Sequence, residues 1–257
     1  KRANGKLLIF LDDDSFPSEN YFDIANNLFD KNKELVAAGG PGILPSDQNF
    51  FGKVLGSVFL SKFSGGFPER YFPVRKKNPF YVDDWPSVNF IIKKDFFDKI
   101  GGFNCDYWPG EDTILCLKIL EKNKKILYEP NLIVYHYRRD NLISHINQIS
   151  SYAKMRGYFV KKYPKNSLKI KYFVPSLFFI YLLILFTSLF FIQSNFFLIP
   201  LYCYGIYLLI SLFEILSRQG LFLTILSIPI ICITHIVYGY SFIKGLFTFK
   251  EPKPKLR

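Results

Sequence analysis

The sequence predicts an α/β domain followed by an α-helical transmembrane segment. Three observations lead there. A short, wholly apolar run, Leu7 to Leu11, ends in three consecutive aspartates. A strand–helix–strand pattern follows, with no hairpin turn inside it. From Tyr172 onward the chain holds six Lys/Arg and two Asp/Glu, against 33 and 21 in all 257 residues.

Leu7-Leu8-Ile9-Phe10-Leu11 is continuous rather than alternating, the pattern of a strand buried on both faces. It stops at Asp12-Asp13-Asp14, before Ser15-Phe16-Pro17. Ser18 is placed to cap a helix whose Tyr21, Ile24, Ala25, Leu28 and Phe29 share one face. Leu35 to Ala38 reads as the next strand, closed by Gly39-Gly40. This βαβ pattern predicts a mostly parallel sheet. Ligands of such sheets gather beyond the carboxyl ends of the strands, where the three aspartates stand.

Residues 41–85 are less regular. Within them Phe51, Val54, Leu55, Val58 and Phe59 form an amphipathic stripe that fits either a bilayer surface or the sheet. Asp95 to Ile100 predicts a short helix stopped by Gly101-Gly102. Gly110-Glu111-Asp112 opens another, with Ile114, Leu117 and Leu120 at helical spacing. Lys125 to Tyr128 and Leu132 to Tyr135 read as two further strands, the second running into His136.

Tyr172 to Gln193, Phe196 to Phe213 and Leu221 to Ile243 are uncharged apolar runs long enough to span a bilayer. Lys161, Lys162, Lys165, Lys169 and Lys171 precede the first and place that side in the cytoplasm. The expectation is a multi-pass protein of the inner (plasma) membrane with a cytoplasmic polar domain. The tail, with Lys250, Lys253, Lys255 and Arg257, also reads as cytoplasmic, yet three crossings would put it outside. Pro229 offers the other reading, a bent, re-entrant or interfacial third segment and two crossings. His235 is expected to hydrogen-bond inside the helix bundle.

Composition excludes several classes. With 49% hydrophobic and 19% aromatic residues the chain is not disordered. Four cysteines without repeated spacing suggest neither a disulfide framework nor a zinc site. The net charge of +12 is not drawn into basic stripes with stacking aromatics, so no nucleic-acid partner is expected. The lysines before the first apolar run suit anionic lipid headgroups instead.

Two acidic sites carry the chemistry. Adjacent aspartates repel one another unless something positive neutralises them. At this density they suit Mg2+ or Mn2+ shared with substrate phosphates, and a solvated acidic turn is the alternative. Glu111-Asp112 supplies either a general base toward a hydroxyl or favourable charge at a helix N-terminus. Taken together they form a metal–diphosphate site facing a base.

Ala3-Asn4-Gly5 leading through Phe10-Leu11 to Asp12-Asp13-Asp14 resembles the A-x-G … F-L-D-D-D segment of family 2 glycosyltransferases, which have the GT-A fold. Lys93 to Phe103 resembles that family's R-x-x-F-x-x-I-G-G-F-D stretch. Gly110-Glu111-Asp112-Thr113 is similar to its G-E-D-x-D-L motif, and Tyr135-His136 to the strand-end His that follows. The resemblance covers roughly residues 3–160. It implies the Rossmann-like, mostly parallel GT-A sheet and an inverting transfer from a nucleotide-sugar to a lipid-linked or polysaccharide acceptor. Asp12 and Asp14 would hold Mg2+ or Mn2+ and the donor diphosphate, with Asp13 between them. Asn89 would lie near the donor sugar and Asp112 would be the base, with Glu111 placing the acceptor. Trp108 would stack on a sugar or sit in the core. His136 would touch metal or phosphate, or be a satisfied structural histidine.

The chain departs from the family pattern in places. Ile114 stands where the motif has its second Asp. Gln148-Ile149-Ser150-Ser151-Tyr152 keeps the Gln of the processive Q-x-x-R-W motif and loses its Arg and Trp. Gln148, Tyr152 and Arg156 are more like the acceptor side of non-processive membrane members, with packing and snorkelling as the alternative for Tyr152 and Arg156. The opening Lys1 and a strand at Leu7 suggest a chain entered mid-domain, lacking the family's base-reading N-terminal half. The expected division is 1–165 for the GT-A domain, 172–249 for two to three membrane helices, and 250–257 for a basic tail. The rival expectation is a non-catalytic membrane protein that retains a glycosyltransferase-like domain as a remnant or assembly partner.

Overall fold

The computed structural model describes residues 3–75, 80–103, 106–191 and 195–249, so the basic tail lies outside the described residues. In chain order, β1 (Leu7–Leu11), β2 (Ser15–Pro17), α1 (Tyr21–Lys31), β3 (Ala37–Gly39) and β4 (Gly42–Ile43) come first. After them come α2 (Phe50–Ser57), β5 (Phe80–Val82), β6 (Asn89–Lys93), α3 (Lys94–Lys99) and α4 (Glu111–Glu121). Then follow β7 (Ile126–Tyr128), β8 (Val134–His136), α5 (Leu142–Lys162) and α6 (Pro164–Ser167). Last are α7 (Ile170–Phe191), α8 (Ile199–Leu216) and α9 (Leu221–Leu246).

Two compact units result. The α/β unit takes residues up to 48 and 69–137; the helical unit takes 49–68 and 138–251. Residues 138–165 and 49–68 go with the helices because α5 and α2 both pack on α9.

In the α/β unit the five-stranded sheet has the order β1-β6-β3-β7-β5. The expected mostly parallel sheet is instead mixed: β3 and β7 pair in parallel, while β1–β6, β3–β6 and β5–β7 are antiparallel. β1 and β3 do run the same way, as a βαβ unit requires, but β6 enters between them. Burial accounts for the order. β6 is buried along nearly its whole length and takes an inner place, whereas β1 is only partly buried and forms an edge. Alternate residues feed two cores. Ala37, Phe90, Ile92, Ile126 and Tyr128 pack with Leu115, Cys116 and Ile119 of α4 on one face. Ala38, Ile91 and Leu127 pack with Tyr21, Ala25 and Phe29 of α1 on the other. Ser18 does not cap α1: the helix starts after Asn20 without a side-chain cap, and the Ser18 carbonyl accepts from the Tyr21 N–H at 3.0 Å. Gly101 and Gly102 end α3 at φ +76° and +59°, a conformation that favours glycine.

A second sheet, β2-β8-β4, is small but decides where chemistry can occur. β2 and β8 pair antiparallel with Ser15 opposite His136.

The helical unit contains three helices long and apolar enough to cross a membrane, within Ile170–Ser188, Phe196–Leu216 and Leu221–Leu246. α9 runs without a break through Pro229. Of the stripe on α2, Val54, Leu55 and Val58 are buried and the helix lies against α9, while Phe51 is exposed. α5 runs parallel to α9. His145 Nε2 meets Thr234 Oγ1 at 2.9 Å, Ser241 Oγ meets Ser150 Oγ at 2.9 Å, and Lys161 Nζ donates to the Thr248 carbonyl at 2.8 Å. His235 is bonded within the bundle as expected. Its Nε2 donates to the Ser64 carbonyl at 3.0 Å, which fixes the tautomer, so Nδ1 accepts from Tyr204 Oη at 2.9 Å.

Candidate active site

The site is built at the end of β1. Beyond Leu11 the chain turns sharply. The Asp12 carbonyl accepts from both the Ser15 N–H (3.1 Å) and the Ser15 Oγ (2.7 Å). This turn holds Asp12 and Asp14 near one another and feeds β2 into its ladder with β8. That ladder, together with a Tyr137 N–H to Asp14 carbonyl bond of 3.1 Å, delivers His136 to the aspartates. His136 Nε2 lies 3.0 Å from Asp14 Oδ1 and 3.9 Å from Asp12 Oδ2. One ligand atom from each of the three residues falls within 4.8 Å of the others. Asp13 is exposed and does not join the group.

Two carboxylates and one imidazole can hold a divalent cation. The carboxylates suit Mg2+ or Mn2+, and the imidazole moves the preference toward Mn2+.

Glu111 and Asp112 open α4, where the helix dipole favours negative charge. Glu111 Oε2 accepts from the Gly110 N–H at 2.9 Å. Burial raises the Glu111 carboxyl above its usual range; its backbone bonds oppose this, and the charge of Asp12 adds to it. Asp112 Oδ1 accepts from the Thr113 N–H at 2.6 Å. Asp112 borders a small recess with Trp85, Ser87, Phe90, Phe103, Leu115 and Cys116.

The other expected residues fall differently. Asn89 is completely buried. Its Oδ1 accepts from Tyr21 Oη at 2.7 Å, and its Nδ2 donates to the Leu132 and Pro41 carbonyls at 2.7 and 3.2 Å. A carboxamide with both ends committed inside the core braces β6 against its neighbours. Trp108 is 39% exposed, so it is not a core residue. Gln148, Tyr152 and Arg156 lie four residues apart along one face of α5, in the helical unit. Tyr152 is exposed, whereas the Arg156 guanidinium lies 4.8 Å over the Tyr172 ring and donates to Ser167 Oγ at 3.3 Å.

One cluster was not foreseen. Asp84 is buried between Arg70 and Thr113, directly behind Asp112 in the chain. Arg70 and Asp84 fall in the irregular stretch without periodicity, and only Thr113, inside the Gly-Glu-Asp-Thr motif, offered a signal.

With a metal-capable acidic group at the end of its first strand and a Glu-Asp pair opening α4, the α/β unit has the arrangement expected of a GT-A domain. The chain belongs to glycosyl transferase family group 2, whose family model matches residues 7–243. It is 24% identical over 260 residues to dolichyl N-acetyl-alpha-D-glucosaminyl phosphate 3-beta-D-2,3-diacetamido-2,3-dideoxy-beta-D-glucuronosyltransferase of Methanococcus voltae, covering 97% of this chain and 75% of that one. Among solved structures it is similar to GalNAc-T7 crystallised with UDP, GalNAc and Mn2+. That likeness has 17% identity and a TM-score of 0.38, over 65% of this chain and 36% of that chain.

Proposed function

We propose that the protein transfers a sugar with inversion from a nucleotide-sugar to a lipid-linked or polysaccharide acceptor at the cytoplasmic face of the membrane. The observation that carries this reading is the Asp12–Asp14–His136 group set close enough to α4 for the charge of Asp12 to be felt at Glu111. Asp112 takes the proton from the acceptor hydroxyl, whose oxygen then attacks the anomeric carbon. The bond from that carbon to the donor diphosphate breaks on the opposite side, giving inversion. Asp12, Asp14 and His136 would hold Mg2+ or Mn2+, which when bound offsets the charge of the leaving diphosphate. Glu111 stands beside the base on the acceptor side. Trp108 offers an exposed ring to a sugar face, and Gln148, Tyr152 and Arg156 would bind the acceptor.

The helical unit supports this membrane placement. Lys161 bonds Thr248, and Tyr172 packs with Phe242, so the end of α9 lies beside the start of α7. α9 is also 33% buried by protein, against 11% and 6% for the other two spans. Both features favour two crossings, α7 and α8, with α9 lying at the cytoplasmic face against α2 and α5. A tag at residue 257 should be accessible on the same side as residues 161–171 in sealed vesicles. Protection of that tag would instead require a third crossing.

The enzymatic test is a screen of nucleotide-sugars with membranes carrying the chain, followed by Asp112→Asn with the active donor. General-base removal should lower turnover by about 10²–10⁴-fold while Mn2+-dependent donor binding persists. Undiminished turnover removes Asp112 from the role. Absence of transfer with every donor favours a non-catalytic partner.

A further inference from the structure

We infer that Asp84, clamped by Arg70, is a positioning residue that sets the first turn of α4 through Thr113 and so fixes where Asp112 stands. Its catalytic consequence rests on Asp112 being the base.

Asp84 is 5% exposed in the loop between β5 and β6. One Arg70 guanidinium nitrogen lies 3.5 Å from Asp84 Oδ2 and also donates to the Asp84 carbonyl at 2.7 Å. The other carboxylate oxygen, Oδ1, accepts from Thr113 Oγ1 at 3.1 Å. The next residue continues the attachment. The Trp85 N–H donates to Cys116 Sγ at 3.3 Å, and the Cys116 thiol donates back to the Trp85 carbonyl at 3.5 Å. Thr113 and Cys116 lie three residues apart and share a helix face. Segment 84–85 is thus attached to α4 at two points over its opening turn, with the Arg70 guanidinium 5.7 Å from the Trp85 ring centre.

Stability alone does not account for this arrangement. A buried ion pair recovers little beyond the desolvation of its two charges, and apolar residues of similar volume often serve as well. Trp85, Phe90 and Leu115 show that such packing is already present around it. What the pair adds is direction: an acceptor that Arg70 prevents from rotating, aimed at one hydroxyl. Thr113 follows Asp112 directly, and successive helix residues point about 100° apart. Anchoring Thr113 inward therefore turns Asp112 toward the recess. Displacing a catalytic group by about 1 Å can cost about a hundredfold in rate.

The test uses the full chain in lipid nanodiscs and Thr113→Val, Thr113→Ser, Asp84→Asn and Asp112→Asn variants. Hydrogen exchange of residues 110–117 is read first. Thr113→Val should accelerate it about tenfold or more, with β6 amides and the melting temperature little changed; Asp84→Asn should accelerate it as well but lower the melting temperature, because it leaves the Arg70 charge unpaired. Thr113→Ser, which keeps the hydroxyl, should match the parent. With the donor found in the screen, Thr113→Val should lower kcat about tenfold or more and leave the donor KM within about twofold. Unchanged exchange in Thr113→Val overturns the inference, as does acceleration in that variant spread over the whole α/β unit with a fall in melting temperature. If Asp84→Asn does not fold, Thr113→Val leaves the ion pair in place and carries the test. Retained turnover in Asp112→Asn would sink the base assignment alone, and the exchange result would still decide whether Thr113 positions α4.

Discussion

The seam between α5 and α9 makes a sharp prediction, because two glycines allow their backbones to touch. A Cβ added at Gly157 would strike the Phe242 carbonyl oxygen and stand 2.9 Å from the Leu246 nitrogen. One added at Gly245 would strike the Lys154 carbonyl oxygen and stand 2.7 Å from its carbon. These neighbours are backbone atoms of the facing helix and cannot rotate away. Carbon contacts settle at roughly 3.5–4.0 Å, so Gly157→Ala or Gly245→Ala must part the helices by about 1 Å. Parting them stretches the His145–Thr234 and Ser241–Ser150 bonds beyond useful length. Overpacking costs about 1–3 kcal/mol, and each lost bond adds about 1 kcal/mol. Either substitution should therefore cost about 3 kcal/mol and lower the melting temperature by roughly 6–12 °C for a chain of this size. The double variant should fall short of the sum, since helices already parted accommodate the second methyl cheaply. Thermal unfolding in mild detergent, followed by intrinsic tyrosine and tryptophan fluorescence, reads the shift. Gly205→Ala is the control, a helical glycine with nothing within 4 Å of its added Cβ, and it should be neutral or stabilising. If Gly157→Ala melts with that control, the backbone contact is not what holds the seam.

Two further expectations follow from single groups. His136→Ala removes one of three candidate ligands and should weaken Mn2+ binding at least about tenfold, as read by titration calorimetry; affinity equal to the parent's would exclude His136 as a ligand. Burial lowers His145 to about 4, and its ring faces Thr234 and Phe59, neither of which titrates. The unfolded chain takes up this proton near pH 6.5 and the native state only near 4, so stability is full above about 6.5 and falls as pH drops through that window. The loss reaches about 3 kcal/mol, and urea titrations from pH 7 to 4 should show a shallower decline in His145→Gln.

The parts of the fold legible in the chain are those encoded locally. β1 occupies the five residues its apolar run marks, and α4 opens at the Glu-Asp pair. Strand order was not legible. That β6 lies between β1 and β3 depends on which strand loses most by exposure, a comparison across the whole sheet. The stripe on α2 signalled burial but could not name α9 as its partner, because an apolar face fits any apolar surface. At the site, Asp12 and Asp14 were visible as a cluster, while His136 joins them only through the β2–β8 ladder. Asn89 shows the reverse case. Its side chain looked available until the hydroxyl of Tyr21 and two carbonyls claimed it.

The path of the chain has a practical consequence. Because residues 49–68 belong to the helical unit, the backbone passes between the two units three times among the described residues, near residues 48, 68 and 137. One proteolytic nick at any of these points leaves two covalent ties, so limited proteolysis should nick the protein without releasing a soluble half. A fragment ending at residue 165 would carry Val54, Leu55, Val58 and the α9-facing side of α5 bare to water, and should aggregate. Recovering the α/β unit alone would require excising 49–68 as well as everything after Tyr137, joining Gln48 to Glu69 with a short flexible link.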